Sequence, residues 1–114
     1  MTSISLDPKT VRAAHVFMQR IERRFAIEQA ILFGSRARQT HIEDSDADIA
    51  VIIEGQPGKR SAAALEMAGV AFDVLLETGI LIEALPLWHT EFEHPETFSN
   101  PALIHAIQRD GVVL

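Results

Sequence analysis

At 114 residues, with 47% apolar and 23% charged side chains, the chain has the makeup of one compact domain and little length for a second, substrate-selecting one. Its 16 acids against 10 Lys and Arg give a net charge of −6, which disfavours nucleic acid as a partner because phosphate contact needs clustered cations. The absence of cysteine excludes disulfides, thiolate metal sites and cysteine nucleophiles, and Met1 to Pro8 carry no basic-then-apolar leader, so a cytoplasmic protein is expected.

Asp7-Pro8 reads as a helix start, since Asp caps free amides and Pro costs nothing at the first helical position. Val11, Ala14, Met18, Ile21 and Phe25 then recur every three or four residues, which predicts a helix from Pro8 to about Arg24 with one apolar face. Arg20, Arg23 and Arg24 fall mostly off that stripe and read as a solvated face. Ile27 to Phe33 is a short, largely apolar run stopped by Gly34 and predicts a buried strand. Ser35 to about Gln39 is expected as a helical turn, Thr40 to Ser45 as a polar loop, and Ala47 to Ile53 as a second central strand.

After the Glu54 to Gly58 loop, Lys59 to Ala68 predicts a helix ended by Gly69. Val70 to Leu76 reads as a strand with Ala71, Asp73 and Leu75 on one face. Glu77-Thr78-Gly79 suggests a turn into a strand at Ile80 to Ile82, and Leu87 to Phe98 reads as irregular. Asn100-Pro101 opens a helix running to about Arg109, and Gly111 precedes a last strand, Val112 to Leu114. The sum is an α/β chain with a small mixed sheet and helices packed on it, undivided by any linker.

Asp46 and Asp48 stand two apart at the head of a strand, so the period of two sends both carboxylates to one side. Such a pair repels itself unless solvated or bridged by a cation, and hard oxygen ligands select Mg²⁺ or Mn²⁺. Taken alone, the pattern also fits a plain acidic loop. Upstream, Gly34 lets a phosphate approach the backbone, and Ser35 offers a hydroxyl at the start of a helical turn. A strand, Gly-Ser and helical turn feeding a strand headed by two acids can hold a nucleoside triphosphate and its metals. Asp73, a lone acid in an apolar stretch, requires compensation by a metal or by an arginine partner, and the first choice makes it the third carboxylate of a two-metal site.

Gly34-Ser35, ten intervening residues and Asp46-Ala47-Asp48, with a later acid at Asp73, the flanks Leu32 to Arg38 and Ser45 to Val51 and the ending Ile107 to Leu114, resemble the minimal nucleotidyltransferases of the DNA polymerase beta superfamily. The resemblance implies a polymerase beta-like palm fold and transfer of AMP from ATP to a hydroxyl, with Asp46, Asp48 and Asp73 as catalytic metal ligands. It further implies that Gly34, Ser35, Arg36 and, less directly, Arg38 bind the triphosphate. It departs from the family at Gln39-Thr40, where a glycine is common, so the loop to Asp46 is expected to differ in shape.

By the same resemblance, the acceptor is expected on another protein, a small helical HEPN partner held in a toxin–antitoxin pair. Two other readings stay open, a non-catalytic binding module and a small-molecule transferase working as a homodimer. Gly58-Lys59-Arg60-Ser61 lacks the upstream glycine and the adjoining hydroxyl of a P-loop, and the five histidines show no zinc spacing.

Overall fold

A computed structural model describes residues 6–114; residues 1–5, on which most of the leader reading falls, lie outside it. Helix α1 covers Pro8–Ile21, with Asp7 as its N-cap accepting from the Thr10 amide at 3.2 Å. Strand β1 (Ile27–Phe33) leads into the single-turn helix α2 (Ser35–Arg38), and strand β2 (Ala47–Ile53) follows the eight-residue loop 39–46. Helix α3 (Arg60–Thr78), strand β3 (Ile82–Trp88), helix α4 (His89–Glu93), a 3-10 turn (Pro95–Thr97), helix α5 (Pro101–Asp110) and strand β4 (Val112–Val113) complete the order.

The four strands form one mixed sheet in the order β3-β2-β1-β4. β1 runs antiparallel to β2 and β4, whereas β2 and β3 are parallel. A parallel neighbour needs a crossover, and α3 supplies it. On one face, α1 and α3 bury Phe17, Ile21, Met67 and Val74 against Leu32, Ile49 and Val51. On the other, Ile104 and Ile107 of α5 cover Ile31, Ala50, Ile52 and Leu87. β2 is therefore buried on both faces, which is why it reads as a continuous β-branched run.

The structure corrects the reading of residues 59–98. Val70 to Leu76 is not a strand: α3 runs unbroken through Gly69 to Thr78. Its buried residues, Ala63, Met67, Val70, Ala71 and Val74, follow helical spacing, and the alternation read over residues 70–76 is only a short sample of that stripe. The helix stops at Gly79, whose φ of 79° is left-handed and whose N–H donates to Leu75 O at 2.8 Å. The strand expected at Ile80 to Ile82 instead begins at Ile82 and continues through Pro86 to Trp88. β3 is an edge strand, so Pro86 can lack an N–H without interrupting the ladder on its inner side.

The Leu87 to Phe98 stretch is more regular than its sequence suggests. Arg60 lies over the rings of Trp88 and Phe98, at 5.3 and 4.9 Å from their centroids, and forks onto both oxygens of buried Glu91 at 3.0 and 2.5 Å. That contact ties the start of α3 to α4. Among the described residues no helix is long and apolar enough to cross a membrane.

Candidate active site

β1 ends at Phe33 and turns sharply at Gly34, which has φ 74° and ψ −156°. The turn admits only glycine for two reasons. A side chain disfavours that backbone region, and a Cβ at Gly34 would overlap Asp48 Oδ2. Asp48 faces Phe33 across the β1–β2 ladder, so the Gly34-Ser35 turn and the head of β2 are held against each other. Asp46 precedes β2 by one residue, and the Ala47 amide donates to Leu81 O at 2.9 Å, extending the parallel pairing backwards.

The partner of Asp48 on the other side is Glu83. It stands opposite Asp48 in the parallel register, and the two side chains share a hydrogen bond. Burial, the Glu83 charge, that hydrogen bond and the Asp46 charge push the Asp48 carboxyl up to about 6, with Arg38 opposing them. Three carboxyl groups thus gather at the heads of β2 and β3, beside a Gly-Ser turn and one exposed arginine. A cleft of about 250 Å³ opens there, between Asp46 and Glu83 on one side and Ala64, Ala68 and Ala71 of α3 on the other.

The sequence profile of the family described as "Polymerase beta, Nucleotidyltransferase" matches residues 17–114. The chain belongs to the polymerase beta nucleotidyltransferase family. No curated protein matches it. A crystal structure of a candidate nucleotidyltransferase from Sulfolobus solfataricus is similar in fold, with a TM-score of 0.55 at 17% identity over 97% of this chain and 90% of that one. General nucleotidyl transfer is the activity class of the family, and its members use a nucleoside triphosphate and a divalent metal.

Within this polymerase beta-type domain the structure brings Gly34, Ser35, Asp46, Asp48 and Arg38 together and separates two other expected site residues. Asp73 is on the exposed face of α3, in a shallow cleft with Arg20, Arg23, Arg24 and Val70. It fails to reach the other acids because its segment is helical. Arginines line that cleft with it, and at its exposed position solvent satisfies the charge that a buried strand would have had to compensate. Glu83 stands where Asp73 was expected. The signal for it was present: Ile82-Glu83-Ala84-Leu85 repeats the apolar, acid, apolar, apolar order of Ala47-Asp48-Ile49-Ala50, residue for residue in register.

Arg36 is also displaced from its expected role. It is 3% exposed, and its guanidinium is occupied within the protein. Nε donates to Ser45 O at 2.9 Å, Nη2 to Glu43 O at 3.0 Å, and Nη1 to Thr10 Oγ1 at 2.8 Å and Asp7 Oδ2 at 3.4 Å. Thr10 Oγ1 in turn donates to Asp7 Oδ2 at 2.9 Å. Arg36 therefore fastens the loop that delivers Asp46 to the capped start of α1, and the cation free to meet a phosphate is the exposed Arg38.

The donor set suits a divalent cation with hard oxygen ligands. Burial first, and then the neighbouring Glu83 and Asp46, raise the Asp48 carboxyl to about 6, so it holds a proton where solvated carboxylates have lost theirs. A cation held by these groups would offset their mutual repulsion and favour the ionised form of Asp48. Among the described residues no three such side chains are drawn together into a ready-made cage.

Proposed function

We propose that the protein is a Mg²⁺- or Mn²⁺-dependent nucleotidyltransferase that moves AMP from ATP onto a hydroxyl of a partner protein. The observation that carries the reading is the convergence of Asp46, Asp48 and Glu83 opposite the Gly34-Ser35 turn. Asp46, Asp48 and Glu83 would hold the metal, which when bound neutralises phosphate charge and acidifies the acceptor hydroxyl. The close-approach backbone at Gly34 and the Ser35 hydroxyl bind the β- and γ-phosphates, and Arg38 adds a positive charge beside them.

The acceptor oxygen attacks the α-phosphorus, the bond from that phosphorus to the pyrophosphate oxygen breaks, and pyrophosphate leaves. The hydroxyl proton passes to a carboxylate, for which Glu83, the most exposed acid of the three, is the assigned base.

The partner we assign is the small helical HEPN-type protein that the family resemblance implies, modified on a hydroxyl side chain in the cytoplasm and thereby restrained in an antitoxin relationship. The test is incubation of the purified chain and a HEPN partner with Mg²⁺ and ATP labelled at the α-phosphate. Label on the partner is expected, with loss of at least a hundredfold in Asp48→Asn. Label that survives Asp48→Asn, or partner binding without Mg²⁺-dependent ATP binding, contradicts the reading, and the second result assigns a binding module instead.

A further inference from the structure

Two of the acids stand in a row that crosses the sheet. Phe33 of β1, Asp48 of β2 and Glu83 of β3 are register partners, so their side chains leave the same face of the sheet, the one that α5 covers further along the strands. The next row on that face, about 7 Å further in, is Ile31, Ala50 and Leu85. Ile31 and Ala50 are buried with Ile104 and Ile107 of α5, whereas Phe33 and Leu85, on either side of the line from Asp48 to Ala50, are only half-buried.

α5 lies over this face with two unlike flanks. Gln108 donates to Phe92 O at 2.9 Å, which turns its flank towards α4, at the end of the sheet away from the acids. Leu103 lies roughly 140° around the helix from Gln108 at 100° per residue, so its flank faces the acids. It is half-buried and packs against the same apolar cluster as Phe33 and Leu85. A phenyl ring and two leucines thus form a ledge beside the carboxyl groups.

The line of the transfer decides what this ledge takes. With pyrophosphate over the Gly34-Ser35 turn at the head of β1, and the acceptor hydroxyl beside Glu83 of β3, the leaving and attacking oxygens lie on a line across the strands. The ribose oxygen is a third substituent of the same phosphorus and departs roughly at right angles to that line, which is along the strands. In that direction the face turns apolar, and the base is the flat, apolar end of the substrate.

We infer that Phe33, Leu85 and Leu103 seat the nucleoside of the bound triphosphate, with the base against the Phe33 ring. This deepens, and rests on, the nucleotidyl transfer proposed above. Every base has a face that stacks, so the seat selects by area and favours a purine over a pyrimidine.

Calorimetric titration of the full chain with Mn²⁺ tests this with two probes, a non-hydrolysable ATP analogue and inorganic tripolyphosphate, which carries phosphates without a nucleoside. Phe33→Leu keeps an apolar side chain and removes the ring, and Leu103→Gln alters the α5 flank. Phe33→Leu is expected to weaken the ATP analogue at least fivefold, the lower end of what one base stack contributes, and Leu103→Gln at least threefold. Tripolyphosphate should bind both variants within twofold of the wild type. In the Mg²⁺ complex, nuclear Overhauser contacts from the base protons are expected to the Phe33 ring and to the Leu85 and Leu103 methyls.

Unchanged affinity of both variants for the ATP analogue, or an equal loss for the two probes, overturns the seat. Contacts from the base to Ala64 and Ala68 also overturn it, and place the nucleoside against α3. A wild type that binds tripolyphosphate but gains nothing from the nucleoside loses the seat alone, whereas one that binds neither probe loses the nucleotide site and the seat with it.

Discussion

The Asp48 carboxyl, held up to about 6 by burial and by its neighbours Glu83 and Asp46, titrates where most carboxylates are already ionised. The folded state keeps this proton to about pH 6, while the unfolded chain releases it near 3.8. Between those values the folded state binds more protons, so its stability falls as the pH rises from about 4 to about 6 and levels off above. Urea unfolding of metal-free protein is expected to show that decline, and Asp48→Asn to flatten it. Mn²⁺ affinity should run the opposite way, rising through pH 6 as the proton leaves. Gly34→Ala places a methyl against Asp48 Oδ2 in a backbone region hostile to side chains; it is expected to lower kcat/KM for nucleotide transfer by about a hundredfold, since displacements near 1 Å cost that much. Steady-state kinetics checks it. At this scale Gly34, Ser35, Asp46 and Asp48 were legible because their relations are local: a turn residue before a helical start, and two acids at a strand's period. Arg36 was not, because nothing in Gly-Ser-Arg-Ala-Arg distinguishes the arginine that turns inward to Asp7 and Thr10 from Arg38, which stays outside.

At the scale of elements, the loop between α2 and β2 is held by tertiary bonds. Ser45 closes it on Ile42 in both directions, N–H to O and N–H to Oγ, each at 3.0 Å, and Arg36 anchors its carbonyls to α1. Arg36→Ala leaves those acceptors and the Asp7 cap without their buried donor, and the expected loss is about 3 kcal/mol in urea denaturation. Arg36→Lys should recover only part of it, because an ammonium cannot span Ser45, Glu43 and Thr10 together. The expected change of loop shape at Gln39-Thr40 has a specific form: Gln39 takes φ 59°, the left-handed conformation in which a glycine is comfortable. α3 was the element misread. Gly69 resembled a cap and residues 70–76 a strand, yet burial of Ala63, Met67, Val70 and Val74 on one side outweighs a lone interior glycine. β3 was expected only at Ile80 to Ile82; it runs instead from Ile82 through Pro86 to Trp88, and a proline there depends on an edge position that only the assembled sheet defines.

For the whole molecule, the mixed sheet with helices was legible from the alternation of periodic segments, and the family profile and the related fold agree with it. The position of the third acid was not, because it depends on which strand becomes the parallel neighbour of β2. Once α3 is a crossover, β3 must begin beside Asp48, and Glu83 enters the site by register alone. The acids therefore occupy one end of a doubly covered sheet, where an occupied site should stabilise the entire fold. At a hundredfold excess over Kd, Mg²⁺ and ATP together are expected to add about 2.7 kcal/mol, read as a raised melting temperature that ATP with EDTA does not reproduce.

We assign the metal-dependent nucleotide site to Asp46, Asp48 and Glu83, and not to Asp73. Calorimetric titration of a non-hydrolysable ATP analogue with Mn²⁺ tests it most directly. Binding is expected for the wild type and for Asp73→Asn, weakened at least tenfold by Glu83→Gln or by leaving out the metal. Equal binding by Glu83→Gln and the wild type, or loss of binding in Asp73→Asn alone, would contradict it.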